Sequence, residues 1–183
     1  MLRLVTQASL HPSKTAIIDS FGAHSYQELM HRSDQVATYL LHGKTDLSEA
    51  RVAFMVSPGI DYTAVQWGIW KAGGIAVPLC ITYPLPSLTY VIEDTQAEIV
   101  ITGPEYEGIL KNYVQEKNLR WYTLEDLGHP IEPSIFPQIS TDRGAMILYT
   151  SGTTSLPKGV LTTHANIEPQ VNTLIEAWNW TSE

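Results

Sequence analysis

Apolar side chains recur at helical spacing between Ser25 and Leu41, at Tyr26, Leu29, Met30, Val36, Ala37, Leu40 and Leu41. Positions three and four apart share one face of a helix, so this stretch predicts an amphipathic helix. Ser25 with Glu28 three residues later makes a capping-box pattern at its start, and Gly43 can close it. Glu28 therefore reads as a cap rather than a catalytic carboxylate. Arg51 to Val56 follows as a strand, Pro58 to Ala72 as a helix stopped by Gly73-Gly74, and Ile75 to Leu79 as a continuous apolar strand. The pattern repeats downstream. Pro86 to Gln96 reads as a helix with Leu88, Val91 and Ile92 inward, Glu98 to Thr102 as a strand, and Pro104 to Lys117 as a helix carrying Tyr106, Ile109, Leu110, Tyr113 and Val114. Pro86 and Pro104 suit first helical positions.

Short apolar strands alternating with amphipathic helices imply an α/β fold, a mostly parallel sheet covered by helices on both faces. Trp67 and Trp70 are assigned to its core. Lys71, at the end of its helix, is read as complementing the helix dipole rather than as a catalytic cation. Between Gly128 and Thr141, Pro130, Pro133 and Pro137 oppose helix and central strand. This 128–141 stretch is either a boundary between folding units or a connection within one α/β body. Ala145 to Tyr149 and Gly159 to Thr163 then read as two strands. The last helix extends to about Trp178, with Pro169 in an early turn and Val171, Leu174, Ile175 and Trp178 on its apolar face.

Composition narrows the function. The chain has 183 residues, enough for one hydrophobic core, and a formal net charge of −8. That balance argues against nucleic acid or an anionic membrane surface as partner. Cys80 is the single cysteine, so an intrachain disulfide is impossible and a reducing, cytoplasmic setting is expected. No signal-peptide pattern, transmembrane run or solenoid repeat is evident. Histidines lack Cys, Asp or Glu partners at metal-ligand spacing, so no metal site is assigned.

The densest chemistry lies between the two late strands, in Tyr149-Thr150-Ser151-Gly152-Thr153-Thr154-Ser155-Leu156-Pro157-Lys158-Gly159. Hydroxyl donors, backbone N–H groups near glycines and one ammonium can together satisfy the oxygens of a polyphosphate. The strand–GxxxxGK[ST]–helix loop of nucleotide hydrolases is the obvious competitor, but its spacing fails here. The second glycine follows the lysine, and no Ser or Thr follows Lys158 to hold magnesium. A kinase-type loop would start a helix at Lys158, whereas the apolar run after it predicts a strand.

These residues resemble the ANL superfamily of adenylate-forming enzymes, which includes acyl-CoA synthetases, peptide-synthetase adenylation domains and luciferases. The family's phosphate-loop pattern is matched from Tyr149 to Val160, followed by His164-Ala165-Asn166. Ser155 departs, standing where the family usually has glycine; if that position needs a positive φ, a serine Cβ is strained there. Ser25-Tyr26-Gln27-Glu28-Leu29 and Lys71-Ala72-Gly73-Gly74-Ile75-Ala76-Val77-Pro78-Leu79 are similar to scaffold segments of the same family. The resemblance favours the reading of 128–141 as a connection within one body. It implies that residues 1–183 are part of the large N-terminal AMP-binding domain.

The chemistry that the resemblance implies is a two-step carboxylate activation. A carboxylate attacks the α-phosphate of Mg²⁺-bound ATP, pyrophosphate leaves, and a thiol such as that of coenzyme A captures the acyl-adenylate. Thr150, Ser151, Gly152, Thr153, Thr154, Ser155 and Lys158 are the implied nucleotide-binding residues, with Lys158 also the candidate catalytic cation. His164 is a candidate substrate contact, or equally a hydrogen-bonding residue at the start of the last helix. Motifs for an acid that helps hold magnesium, an aspartate for the ribose hydroxyls, a hinge and the lysine of a C-terminal lid are not found. The chain is therefore expected to be an N-terminal fragment of a longer enzyme, inactive by itself. The segment from Gln170 to Thr181 leans toward malonyl-CoA and fatty-acyl-CoA synthetases. Amino-acid or aryl-acid adenylation stays open, as does a non-catalytic binding module that keeps the fold.

Overall fold

The computed structural model describes residues 3–129, 135–150 and 157–180. Helix α1 (Arg3–Ser9) leads into a hairpin of β1 (Thr15–Asp19) and β2 (Gly22–Ser25), and then α2 (Tyr26–Leu41). The body continues as β3 (Arg51–Met55), α3 (Ile60–Lys71), β4 (Ile75–Pro78), α4 (Leu85–Asp94) and β5 (Ile99–Thr102). A 3₁₀ turn at Pro104–Tyr106 introduces α5 (Glu107–Glu116), followed by β6 (Arg120–Thr123) and α6 (Leu124–Leu127). Then come β7 (Gly144–Thr150), β8 (Lys158–Thr163) and α7 (His164–Ala177).

Six strands form the main sheet in the order β6-β5-β3-β4-β7-β8. All neighbours run parallel except β7 and β8, which are antiparallel. Strand alternation sends Val52, Phe54, Ile99 and Ile101 to one face, into a core with α2 and α3. Ala53, Met55, Val77 and Val100 point to the other face, where Leu88, Val91 and Ile92 of α4 and Leu110 and Val114 of α5 meet them. Each fully buried large side chain of this kind contributes about 1.5–3 kcal/mol. The expected α/β architecture with helices on both faces is thus present, and Trp67 and Trp70 are buried in it.

Two local readings are corrected. Ser25 Oγ accepts the Glu28 N–H at 3.2 Å, but the Glu28 carboxylate does not return to the backbone. It accepts from Arg32 at 2.7 Å and lies 3.1 Å from His24, because charged donors outcompete a neutral N–H. Only half of the capping box forms. Lys71 does not turn outward at its helix end either. Its side chain is buried, and Nζ donates to Ser33 Oγ and Asp34 Oδ1, each at 2.7 Å, fastening α3 to α2. Burial holds its pKa below the ordinary lysine value, while Asp34 opposes that shift.

Close approach of α2 and α3 depends on Gly68, where an added Cβ would sit 2.5 Å from Val36. Gly73 ends α3 with φ +82°, its N–H donating to the Trp70 carbonyl and that of Gly74 to the Ile69 carbonyl, a Schellman closure. A Cβ on Gly73 would also stand 2.1 Å from Asp46 Oδ1. That space is taken by the ion pair of Asp46 with Arg143, whose guanidinium makes two bonds of 2.7 and 2.9 Å to the carboxylate and a third of 2.6 Å to the Gly73 carbonyl. The glycine pair read as a helix stop is therefore also a socket for the residue that precedes β7. The hairpin β1–β2, the strand β6 and the short helices α1 and α6 are not foreseen from periodicity; each is too short to carry a full period.

Candidate functional site

Strand β7 is anchored mostly by side chains. Its ladder to β4 has one registered pair, Ala76 with Met146. Arg143 is held as described, Glu49 Oε1 accepts the Gly144 N–H at 2.7 Å, and the Trp70 indole donates to the Ala145 carbonyl at 2.7 Å. Since β7 runs parallel to β4, Thr150 emerges at the C-terminal edge of the parallel strands. Ligands of open α/β sheets bind at that edge.

Of the expected nucleotide-binding residues, Thr150 and Lys158 are described. They face each other as the last registered pair of β7 and β8, and both are exposed. Ser151, Gly152, Thr153, Thr154 and Ser155 lie outside the described residues. Lys158 begins a strand, so the helix that a kinase-type loop requires is absent at this position. The structure thus brings the two ends of the run together, with an exposed hydroxyl and an exposed ammonium side by side in register.

Helix α4 brackets this stem. The Tyr149 hydroxyl donates to the Asp94 carboxylate, and the Tyr90 hydroxyl donates to the Pro157 carbonyl at 3.2 Å. The two tyrosine rings meet edge to face with centroids 6.2 Å apart. Partial burial and the neighbouring Asp94 carboxylate push the Tyr149 phenol well above its ordinary pKa, so it stays a donor throughout the neutral range. Beneath the stem is a cavity of about 340 Å³, lined largely by apolar groups that include Val56, Leu79, Leu88, Leu148 and the rings of Tyr83 and Tyr149. Cys80 is an exposed free thiol at its wall. Tyr90 and Asp94 carry no chemical motif; their only signal is the four-residue spacing that puts them on one face of α4.

His164 is the first residue of α7 and only 3% exposed, with its ring edge to face on Trp70 at 5.8 Å. Its Nδ1 has no hydrogen-bond partner among the described residues. Burial, with a smaller contribution from nearby positive charge, pushes its pKa down to about 4, so the ring is neutral at physiological pH. Thr163 and Asn166 form a complete capping box around it, Thr163 Oγ1 accepting the Asn166 N–H and Asn166 Oδ1 accepting the Thr163 N–H. In this geometry His164 and Asn166 hold the β8–α7 junction. Among the described residues, no group of three or more His, Cys, Asp or Glu side chains is placed to hold a metal ion. No helix there is long and apolar enough to cross a membrane.

A model of the AMP-binding enzyme family matches residues 4–183. The mitochondrial malonate–CoA ligase ACSF3 of Xenopus laevis is 35% identical over 193 residues, covering 97% of this chain and 33% of that protein. A linear gramicidin synthase polypeptide of Brevibacillus parabrevis is 32% identical over 162 residues, covering 84% of this chain and 2% of its own. The solved structure of Bacillus subtilis O-succinylbenzoate–CoA synthetase in complex with AMP superposes with a TM-score of 0.86 at 21% identity, covering 99% of this chain and 47% of that one. The chain spans about a third of the length of the ligase it matches. With the family model spanning nearly the whole chain, the chain belongs to the AMP-binding family of adenylate-forming enzymes.

Proposed function

We propose that this chain is the phosphate-loop portion of an ATP-dependent acyl-CoA synthetase, which activates a carboxylate as an acyl-adenylate and passes the acyl group to coenzyme A. One observation carries the reading: the family's loop lies between two antiparallel strands, with Thr150 and Lys158 paired and exposed at the ligand edge of the sheet. The residues fit a polyphosphate. Thr150 and Lys158, with Ser151, Gly152, Thr153, Thr154 and Ser155 between them, supply the donors that would orient the β- and γ-phosphates and stabilise charge on departing pyrophosphate. Lys158 acts as an electrostatic partner of that leaving group. ATP supplies the activating phosphoanhydride, and Mg²⁺ enters with it.

Malonate is the first carboxylate to test, because the X. laevis relative is named for it and is 35% identical. A fatty acid is the second, in keeping with the lean of the last helix. Amino-acid adenylation is the alternative, favoured by the gramicidin synthase relative. An exposed free thiol at Cys80 fits a reducing compartment such as the cytoplasm. ATP–pyrophosphate exchange by the complete protein carrying this chain, over a panel of malonate, fatty acids, aryl acids and amino acids, tests the assignment. Malonate- or fatty-acid-dependent exchange followed by thioester formation with coenzyme A supports it. Exchange with amino acids alone supports the adenylation reading, and no exchange with any member overturns both. Residues 1–183 alone are expected to show none.

A further inference from the structure

We propose that Tyr90 and Asp94 are positioning residues of this reaction, holding the two stems of the phosphate loop at the spacing that Thr150 and Lys158 need. The proposal rests on the loop reading above and adds two residues that carry no motif. From Ile147 onward β7 has no registered partner in β4, so the end of the hairpin pairs only with β8. A two-stranded hairpin by itself is marginally stable in water and free to swing. Helix α4 supplies the missing support from the side.

Tyr90 and Asp94 stand four apart on α4, and each takes one stem. Asp94 accepts the hydroxyl proton of Tyr149, which immediately precedes Thr150. Tyr90 donates its own to the carbonyl of Pro157, which immediately precedes Lys158. Pro157 has no N–H, so its carbonyl is the only backbone hydrogen-bonding group by which that residue can be tethered. The edge-to-face contact between the two rings fixes the separation of the two tethers. Each acts through its neighbour, Asp94 through Tyr149 and Tyr90 through Pro157. A misplacement of about 1 Å in a catalytic group costs on the order of 100-fold in rate, so loss of one tether is expected to cost about tenfold.

The test is ATP–pyrophosphate exchange by the complete protein, comparing Tyr90→Phe, Asp94→Ala, Asp94→Asn and Lys158→Ala. Tyr90→Phe and Asp94→Ala are expected to lower kcat about tenfold with KM for the carboxylate and the melting midpoint unchanged. Asp94→Asn, whose amide oxygen still accepts from Tyr149, is expected to recover most of that loss. Amide hydrogen exchange at Thr150 and Lys158 in the same proteins should quicken for Tyr90→Phe and Asp94→Ala, while exchange in β3 stays put. Wild-type kcat and unchanged amide exchange in both variants, with Lys158→Ala inactive, overturn the bracket and leave the loop reading intact. Wild-type activity in Lys158→Ala overturns the loop reading itself. If a variant lowers kcat only as far as it lowers the melting midpoint, the role is structural and the proposal fails.

Discussion

The centre of the sheet and its β7–β8 flank are built by different means. In β3, β4 and β5, Val52, Phe54, Val77, Val100 and Ile101 are all fully buried, and helices cover both faces. In the flank, Leu148, Val160 and Leu161 are exposed, and the position of β7 is set by an arginine, a glutamate and an indole at discrete points. The centre is held by buried apolar area; the flank buries less, through Ala145, Ile147 and Tyr149, and relies more on individual hydrogen bonds, while its tip stays exposed. If the flank handles the ligand as proposed, folding stability and ligand handling are separated within one sheet.

Truncation gives the largest contrast between the two regions. Phe54→Ala is expected to destabilise by about 4 kcal/mol, a buried aromatic leaving a cavity. Leu161→Ala, at 54% exposed, should cost about 0.5 kcal/mol or less. Urea midpoints of the two variants measure this directly, and equal losses would dissolve the distinction. Next in size, Gly68→Val forces atoms into the 2.5 Å gap beside Val36 and should cost about 3 kcal/mol in the same assay.

Two histidines sharpen the comparison through opposite responses to pH. His24, 3.1 Å from both Asp19 and Glu28, has its pKa raised, by the Glu28 hydrogen bond above all. Its stabilisation is fully present below the unfolded value of about 6.5 and is lost as pH rises through the raised folded value. His164 in the flank has its pKa pushed down to about 4 by burial. Its stability is intact above about 6.5 and is lost as pH falls toward the folded value. Denaturation of wild type, His24→Gln and His164→Gln between pH 4 and 9 separates them: the first variant should differ from wild type most on the acid side, and the second should lose the acid-side slope. Slopes of the same sign would contradict the assignment. Lys71→Met is likewise expected to have a small effect, within about 1 kcal/mol of wild type, because Asp34 is 46% exposed and regains water when the lysine is removed.

The two regions also differ in how far they can be read from the sequence. Continuous apolar runs such as Ile75–Leu79 announce central parallel strands, and Leu88, Val91 and Ile92 announce the buried face of α4. The strand–loop–strand order around residues 149–159 is legible because the flanks of the run are apolar. What periodicity does not supply is partners distant in sequence. Nothing near Gly73 points to Arg143, 70 residues on, although that pair requires the glycine. Nothing near Tyr90 points to Pro157. Lys71 misleads for the same reason, since a helix-end lysine is ordinarily solvated and its burial against Ser33 and Asp34 depends on how α2 packs.

The central claim is that the Thr150–Lys158 hairpin handles pyrophosphate. Carboxylate-dependent ATP–pyrophosphate exchange by the complete protein, with and without Lys158→Ala and the double change Thr153→Ala with Thr154→Ala, tests it most directly. The account predicts a loss of at least about 100-fold in kcat for each, the scale of removing one preorganised electrostatic donor, with melting midpoints unchanged. Exchange at the wild-type rate in either variant would contradict it.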